Sequence, residues 1–337
     1  MIEAFDLMKH YPVVSGLRAL FSRNRNQVVR AVDGVSFSVK NGEVLGIVGE
    51  SGCGKSTTAK LLVGLENPTN GEFKLDGDDG ASLCADDRLE FYNRVQMIFQ
   101  DPYGSINPSH DVFTIVSNPL VYRGAKDRAE IKRRVYETME MVGLSPVEIY
   151  LNKHPHLLSG GQRQRLCIAR AIIVNPTNLV ADEPISMLDV SIKWDVIRLL
   201  KRLVDQNNLS MVYITHDLAT VPTLCDHLAI MYLGKIVEIG PTAEILRQPA
   251  HPYTKALIAS VPQAEFGAER AAARILGGLD TAIDLPKGCR FQDRCPDKSE
   301  VCMSVEPTLA PHDGRDVACF KLDPAANMGR SSQSELK

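Results

Sequence analysis

No apolar stretch of the chain approaches the ~18 residues that a helix needs to cross a bilayer, and no charged-then-apolar leader opens it. A soluble, intracellular polypeptide is the expectation. An excess of charge is missing as well. Lys plus Arg number 38 against 41 Asp plus Glu, which leaves no electrostatic footprint for nucleic acid and no polybasic anchor for a membrane surface. Internal repeats and sustained heptads are absent, so solenoids and coiled coils drop out. The chain does hold eight cysteines. In a reducing interior these point to metal ligands or buried thiols rather than disulfides. A length of 337 residues allows one large core and a smaller accessory unit, since domains commonly run ~100 to 200 residues.

Residues 31–39 alternate apolar and polar side chains as a half-buried strand does, and Asn41-Gly42 is a hairpin signal before the next run. A short apolar run at 44–48 is followed by GESGCGKST at 49–57, and helical spacing returns over 55–65. Strand, loop and helix in that order are what a phosphate cradle requires. From about 103 to 158 the pattern is largely helical, with charged stretches such as 126–134 between apolar positions. It reads as a helical subdomain inserted into an α/β core. Ser159 suits the N-cap of a helix running to 174, which Pro176 stops, and strands are predicted at 179–181 and 211–215. Such alternation argues for a mostly parallel sheet with helices on its faces. An antiparallel hairpin is expected over 228–239, turning near Gly234. After about residue 252 the composition shifts, and Cys289, Cys295, Cys302 and Cys319 fall within 31 residues. A small Cys-rich domain is expected at 256–322, followed by a polar tail at 323–337 that frays.

The motifs divide the work of phosphoryl transfer. Gly49, Gly52 and Gly54 allow a tight loop in which backbone N–H groups, with Ser51, Cys53 and Thr57 among them, surround phosphate oxygens at a helix N-terminus. Lys55 is placed to reach the β and γ phosphates, and Ser56 to ligate Mg²⁺. A glycine-rich turn alone would serve no such purpose, but here it sits between strand and helix. Residues 179–183, LVADE, put Asp182 and Glu183 just beyond a buried strand, where open α/β sheets bind ligands. Asp182 is the candidate second partner of Mg²⁺, and Glu183 the candidate base for the attacking water. In LSGGQ, residues 158–162, Ser159, Gly160, Gly161 and Gln162 open another helix whose N–H donors can face an anion.

A phosphate loop, then LSGGQ, then an Asp-Glu strand end resembles the ATP-binding cassette (ABC) ATPases over about residues 5–255. The resemblance implies an α/β P-loop ABC-type nucleotide-binding domain at 1–255, with a mostly parallel sheet, an antiparallel β part and the helical subdomain. It implies that Gln100, in MIFQDP, senses Mg²⁺ and the attacking water near the membrane partner. His216, after an apolar strand, would bind the γ phosphate, and Tyr11, in HYP, would stack on adenine. Asp189, in SMLD, matches the loop through which the family's subunits touch, although Met187 stands where the family usually carries alanine. ATP would lie between the loop of one subunit and the LSGGQ of another, in a homodimer or beside a related subunit.

Downstream, GCRFQDRCPDKSEVC and Cys319 give the spacing C-x5-C-x6-C-x16-C. Four thiolates in a short segment invite a metal as a staple, and both Zn²⁺ and an iron–sulfur cluster accept four cysteines. Buried, unliganded thiols are the plainer alternative. Together with HPYTKALIASVP at 251–262, this segment is similar to the ATPases of bacterial oligopeptide and dipeptide importers, a group that also serves nickel and glutathione uptake. That resemblance implies a [4Fe-4S] cluster on Cys289, Cys295, Cys302 and Cys319, with Lys287, Arg290, Arg294 and Lys298 offsetting its charge against Asp293 and Asp297. It further implies a Mg-dependent ATPase peripheral to the cytoplasmic face of the inner membrane. Two permease subunits would be its partners, with an extracytoplasmic binding protein acting indirectly. The competing expectations are a soluble ABC-type ATPase of DNA repair or chromosome maintenance, and an electron carrier with an incidental ATPase.

Overall fold

A computed structural model describes residues 1–13, 27–260, 283 and 285–322. Its central sheet has eight strands in the order β11-β12-β10-β9-β3-β8-β7-β6. The parallel part is β9 (His227–Tyr232), β3 (Val44–Val48), β8 (Ser210–Thr215), β7 (Asn178–Asp182) and β6 (Val95–Ile98). Every residue of β3, β7 and β8 is buried. Strands covered on both faces read as continuous apolar runs rather than alternating ones, which is why these were legible. Period-two geometry then divides each strand between two cores. Val44, Val48, Met211 and Tyr213 join the layer containing the helical subdomain, while Leu45, Ile47, Val212 and Ile214 join the opposite layer. Each such side chain contributes about 1.5–3 kcal/mol on burial.

The opposite layer is closed by an antiparallel sheet of order β2-β1-β4-β5, comprising β2 (Val28–Val39), β1 (Ile2–Pro12), β4 (Asn70–Leu75) and β5 (Asp78–Asp79). This corrects one expectation. Asn41-Gly42 does not join a hairpin, because β2 pairs with β1 while β3 enters the central sheet. Gly42 has φ +77 and its N–H donates to Leu209 O at 3.1 Å, so the turn transfers the chain from one sheet to the other. Strand β1 escaped prediction for a local reason: its pairing register shifts around Asp6, whose φ is +47, and this breaks the alternation. Between the sheets run α1 (Lys55–Leu62), α2 (Gly80–Asp86) and α3 (Arg88–Arg94).

The helical subdomain forms as expected, from α4 (Val112–Tyr122) and α5 (Arg128–Met141), with α6 (Gly160–Ile172) packed on both. Asp111 and Asp127 cap the first two, each accepting backbone N–H bonds from the first turn. Helix α7 (Val190–Asn207) buries Val196, Leu199, Leu200 and Leu203 on one stripe. Near its start sits Trp194, half-buried, the one tryptophan of the chain. Short helices α8 (Val221–Leu224), α9 (Thr242–Arg247) and α10 (Pro252–Ala259) complete this face.

The β9–β10 hairpin is where the sequence put it, with β10 (Lys235–Pro241) antiparallel to β9 and Leu233 and Gly234 both at positive φ. The expected Cys-rich domain looks different in its described part. Strands β11 (Ala310–His312) and β12 (Arg315–Val317) extend the central sheet through Glu238↔Val317 and Ile239↔Asp316. Phe291 belongs to the main core, with Cys289 and Cys295 packed against it, and α11 (Val301–Ser304) lies in the same segment. Thus residues 285–322 continue the central sheet and its core instead of building a separate one. The expected tail at 323–337 lies outside the described residues. No helix among the described residues is long and apolar enough to cross a membrane.

Candidate nucleotide site

The carboxyl ends of β3, β6, β7 and β8 gather the chemistry, as open α/β sheets do. The loop after β3 is shaped by its glycines. Gly54 sits at φ +109 as the N-cap of α1, and a Cβ there would come within 2.0 Å of Ala31 O. Only glycine fits both constraints. Ser51 and Gly52 are exposed at the tip, while Cys53 and Lys55 are buried. The Lys55 ammonium donates to Gly49 O at 2.8 Å and Glu50 O at 2.9 Å. An anion entering the loop would take over these donors. Tyr11, near the end of β1, interacts through its hydroxyl with Thr57 and Glu66, and the Lys9 ammonium lies 5.1 Å from its ring centroid. This places an aromatic ring beside the first turn of α1.

Ser56 donates to Asp182 Oδ1 at 3.1 Å. Burial pushes the Asp182 carboxyl above the usual carboxylate range, a cost that a cation beside it would offset. A hydroxyl and a carboxylate form an oxygen-only donor set, as a hard cation such as Mg²⁺ prefers.

One residue on, the chain reverses sharply. Glu183 has φ +45, and its N–H is fixed to Ile214 O at 2.9 Å. Its Oε2 accepts from Gln100 Nε2 at 3.1 Å and lies 3.1 Å from His216 Nδ1. Gln100 follows β6, Glu183 follows β7 and His216 follows β8, so three adjacent parallel strands deliver the three candidate residues to one carboxylate oxygen. Such a carboxylate can hold and orient a water within hydrogen-bond reach.

LSGGQ forms the predicted cap. Ser159 Oγ accepts from Gln162 N at 3.3 Å and Gln162 Oε1 accepts from Ser159 N at 3.0 Å, a reciprocal capping box. Behind it, buried Arg163 donates to Pro155 O and Leu158 O at 3.0 Å each and stacks over Tyr103 at 3.8 Å. These bonds hold the motif on the helical subdomain, with Gly160 and Gly161 in the first turn of α6. Asp189 is the N-cap of α7 but makes no side-chain cap bond. Beside it Met187 and Val190 are 57% and 72% exposed. Large apolar side chains this open suit a contact surface.

Cys289, Cys295, Cys302 and Cys319 line one cavity together, and Cys289 N donates to Cys302 O at 2.8 Å. Burial raises the thiols of Cys289, Cys295 and Cys319, the first to about 12. Among the described residues no group of three or more His, Cys, Asp or Glu is placed to hold a metal ion. Cys53, Cys167 and Cys225 are buried and Cys84 half-buried, as expected of packing residues.

One expectation about this segment fails. Arg290 and Arg294 do not stand over the thiols as counter-charges. Arg290 pairs with Asp33 and Glu306, and Arg294 with Glu50 of the phosphate loop. Lys298 pairs with Asp293 at 3.4 Å. The Arg294–Glu50 contact spans 244 positions, and no local pattern could have signalled it.

The ABC transporter profile matches residues 32–186, and the profile described as the oligopeptide/dipeptide transporter C-terminal region matches 237–302. The chain is 41% identical to the dipeptide transport ATP-binding protein DppF of Haemophilus influenzae, over 96% of this chain and 97% of that protein. It is 41% identical to the oligopeptide transport ATP-binding protein OppF of Salmonella typhimurium, over 96% and 97%. Among solved structures, the bacterial ABC transporter cassette MJ0796 in its dimeric form superposes with TM-score 0.62 at 28% identity, over 72% of this chain and 99% of that one. Its post-hydrolysis dimer bound to ADP and Pi gives 0.61, with the same identity and coverage. The relatives carry transport ATP-binding names, which removes the ground for a role in DNA repair. With its ordered phosphate loop, LSGGQ cap and Asp-Glu strand end, the chain belongs to the ATP-binding, ATP-hydrolysing subunits of the ABC transporter family.

Proposed function

We propose that this subunit powers uptake of di- or oligopeptides. It works as one of two cassettes beneath a pair of permeases, on the cytoplasmic face of the inner membrane, with substrate handed over by an extracytoplasmic binding protein. The observation that carries the mechanism is the convergence of Gln100 and His216 on the Glu183 carboxylate. Lys55 exchanges its bonds to Gly49 O and Glu50 O for phosphate oxygens, and the loop amides of residues 51–57 complete the cradle. Ser56 and Asp182 would hold Mg²⁺, which when bound would offset charge on the transferred group. Glu183 accepts a proton from the attacking water, Gln100 orients that water, and His216 contacts the γ phosphate. Tyr11 stacks on adenine. Ser159, Gly160, Gly161 and Gln162 of one cassette cover the nucleotide of the other, with Asp189 at the contact. The near-full-length identity to dipeptide and oligopeptide transport proteins supports the substrate class.

Reconstituting the chain with candidate permease subunits tests this reading. ATP turnover should rise several-fold over the chain alone and rise again when a binding protein delivers peptide. Turnover indifferent to both would remove the importer assignment.

For the cysteine cavity, the same proposal extends to a [4Fe-4S] centre. What supports this reading is that all four cysteines line one cavity. The raised thiols of Cys289, Cys295 and Cys319 would lose their protons on binding. Anaerobically purified protein should contain about four iron and four acid-labile sulfide per chain. Zinc alone would end the cluster assignment.

A further inference from the structure

Glu50, the second residue of the phosphate loop, is held by a segment that no motif assigns to the nucleotide site. Its carboxylate accepts from both outer nitrogens of Arg294, at 2.8 Å each. Its backbone N–H donates to Tyr253 Oη at 2.9 Å, and its carbonyl accepts from Lys55 Nζ. Arg294 is 6% exposed and donates to Tyr232 Oη at 3.3 Å. Around it Tyr232, Tyr253 and Phe291 form an aromatic cluster with ring centroids 4.7–5.5 Å apart. The other end of the same short segment grips the loop at a second point. Arg290 donates to Leu233 O, and the next residue of that turn, Gly234, donates its N–H to Cys53 O at 2.8 Å.

A phosphate cradle works only if its N–H groups converge, and a carboxylate within it repels the anion it must receive. Bidentate pairing with Arg294 answers both demands, because it fixes the direction of the Glu50 side chain and neutralises its charge. We propose that Arg294 is a positioning residue for nucleotide binding, holding the phosphate loop in its anion-receiving shape through Glu50, with Arg290 bracing the loop through the turn at Leu233 and Gly234. This rests on the loop being the ATP site. The cysteine-bearing segment thereby sets ATP affinity irrespective of what its cavity holds.

The test is a cycle of ATP dissociation constants on the full chain, with turnover measured in parallel. Arg294→Met frees the loop and leaves Glu50 charged, so ATP should bind about tenfold or more weakly, as one unit charge uncovered near the phosphates implies. KM should rise while turnover at saturating ATP stays within about twofold, since no reacting atom is touched. Glu50→Gln loses the paired fork but uncovers a cation rather than an anion, and should cost no more than about threefold. The decisive variant is the double one. Acting through Glu50, Arg294→Met with Glu50→Gln removes the uncovered carboxylate and should bind ATP several-fold more tightly than Arg294→Met alone, a rescue of the single arginine variant. A double variant that binds ATP no more tightly than Arg294→Met, or an Arg294→Met chain that binds ATP as the unaltered one does, overturns the proposal. Should Arg294→Met not fold, Arg294→Lys keeps the charge, loses the fork, and should show the same rescue at smaller scale. Failure of the unaltered chain to bind ATP would instead remove the underlying assignment of the loop.

Discussion

Glu183→Gln is expected to cut ATP turnover by about 10²- to 10⁴-fold, the usual contribution of a positioned general base, while ATP still binds. The substitution keeps shape and one acceptor oxygen, so the backbone bond from Glu183 to Ile214 O and the contacts with Gln100 and His216 can persist. What disappears is basicity. Because the bonds of Lys55 to the loop carbonyls and of Ser56 to Asp182 do not involve the Glu183 side chain, nucleotide should remain in place and hold two cassettes together. Single-turnover hydrolysis and light scattering with ATP present read both effects. Turnover within tenfold of the unaltered chain would show that another group takes the proton.

Gly54→Ala should abolish nucleotide binding and lower the unfolding free energy by about 3 kcal/mol, from a left-handed backbone forced on alanine and a side chain driven into the main chain. Two facts make this position severe. Its φ is +109, and an added Cβ would sit 2.0 Å from Ala31 O, a backbone atom that cannot rotate away. Gly52 supplies the comparison. It too has positive φ, +81, but nothing lies within 4 Å of its added Cβ, so Gly52→Ala should cost only about 1 kcal/mol. Denaturant unfolding and ATP titration of the two variants separate steric blockage from backbone strain. Equal losses in both would mean that the contact with Ala31 can relax.

What could be read in advance follows the range of the interactions. Strands β3, β7 and β8 announced themselves because burial on both faces leaves no room for polar residues. The phosphate loop and the Ser159 cap were legible since their bonds close within a few residues. Glu183 was legible from its place just beyond a buried strand, and Gln100 and His216 through family resemblance, but their meeting at one oxygen depends on β6, β7 and β8 lying side by side, which no local pattern encodes. Asn41-Gly42 misled for the complementary reason. Its turn is real, but only pairing across the whole chain decides that β2 and β3 part company. The grip of Arg294 on Glu50 is the extreme case, a contact closed only after the last part of the chain has docked.

The scarcity of tryptophan has a practical side. Trp194 lies five positions after Asp189, near the start of α7 and half-buried, close in sequence to the exposed Met187 and Val190. A second cassette pressed against that surface would change the water around a single indole. Excited at wavelengths that its nine tyrosines do not absorb, the unlabelled chain emits from one address, and the colour of that emission is expected to shift when the pair closes.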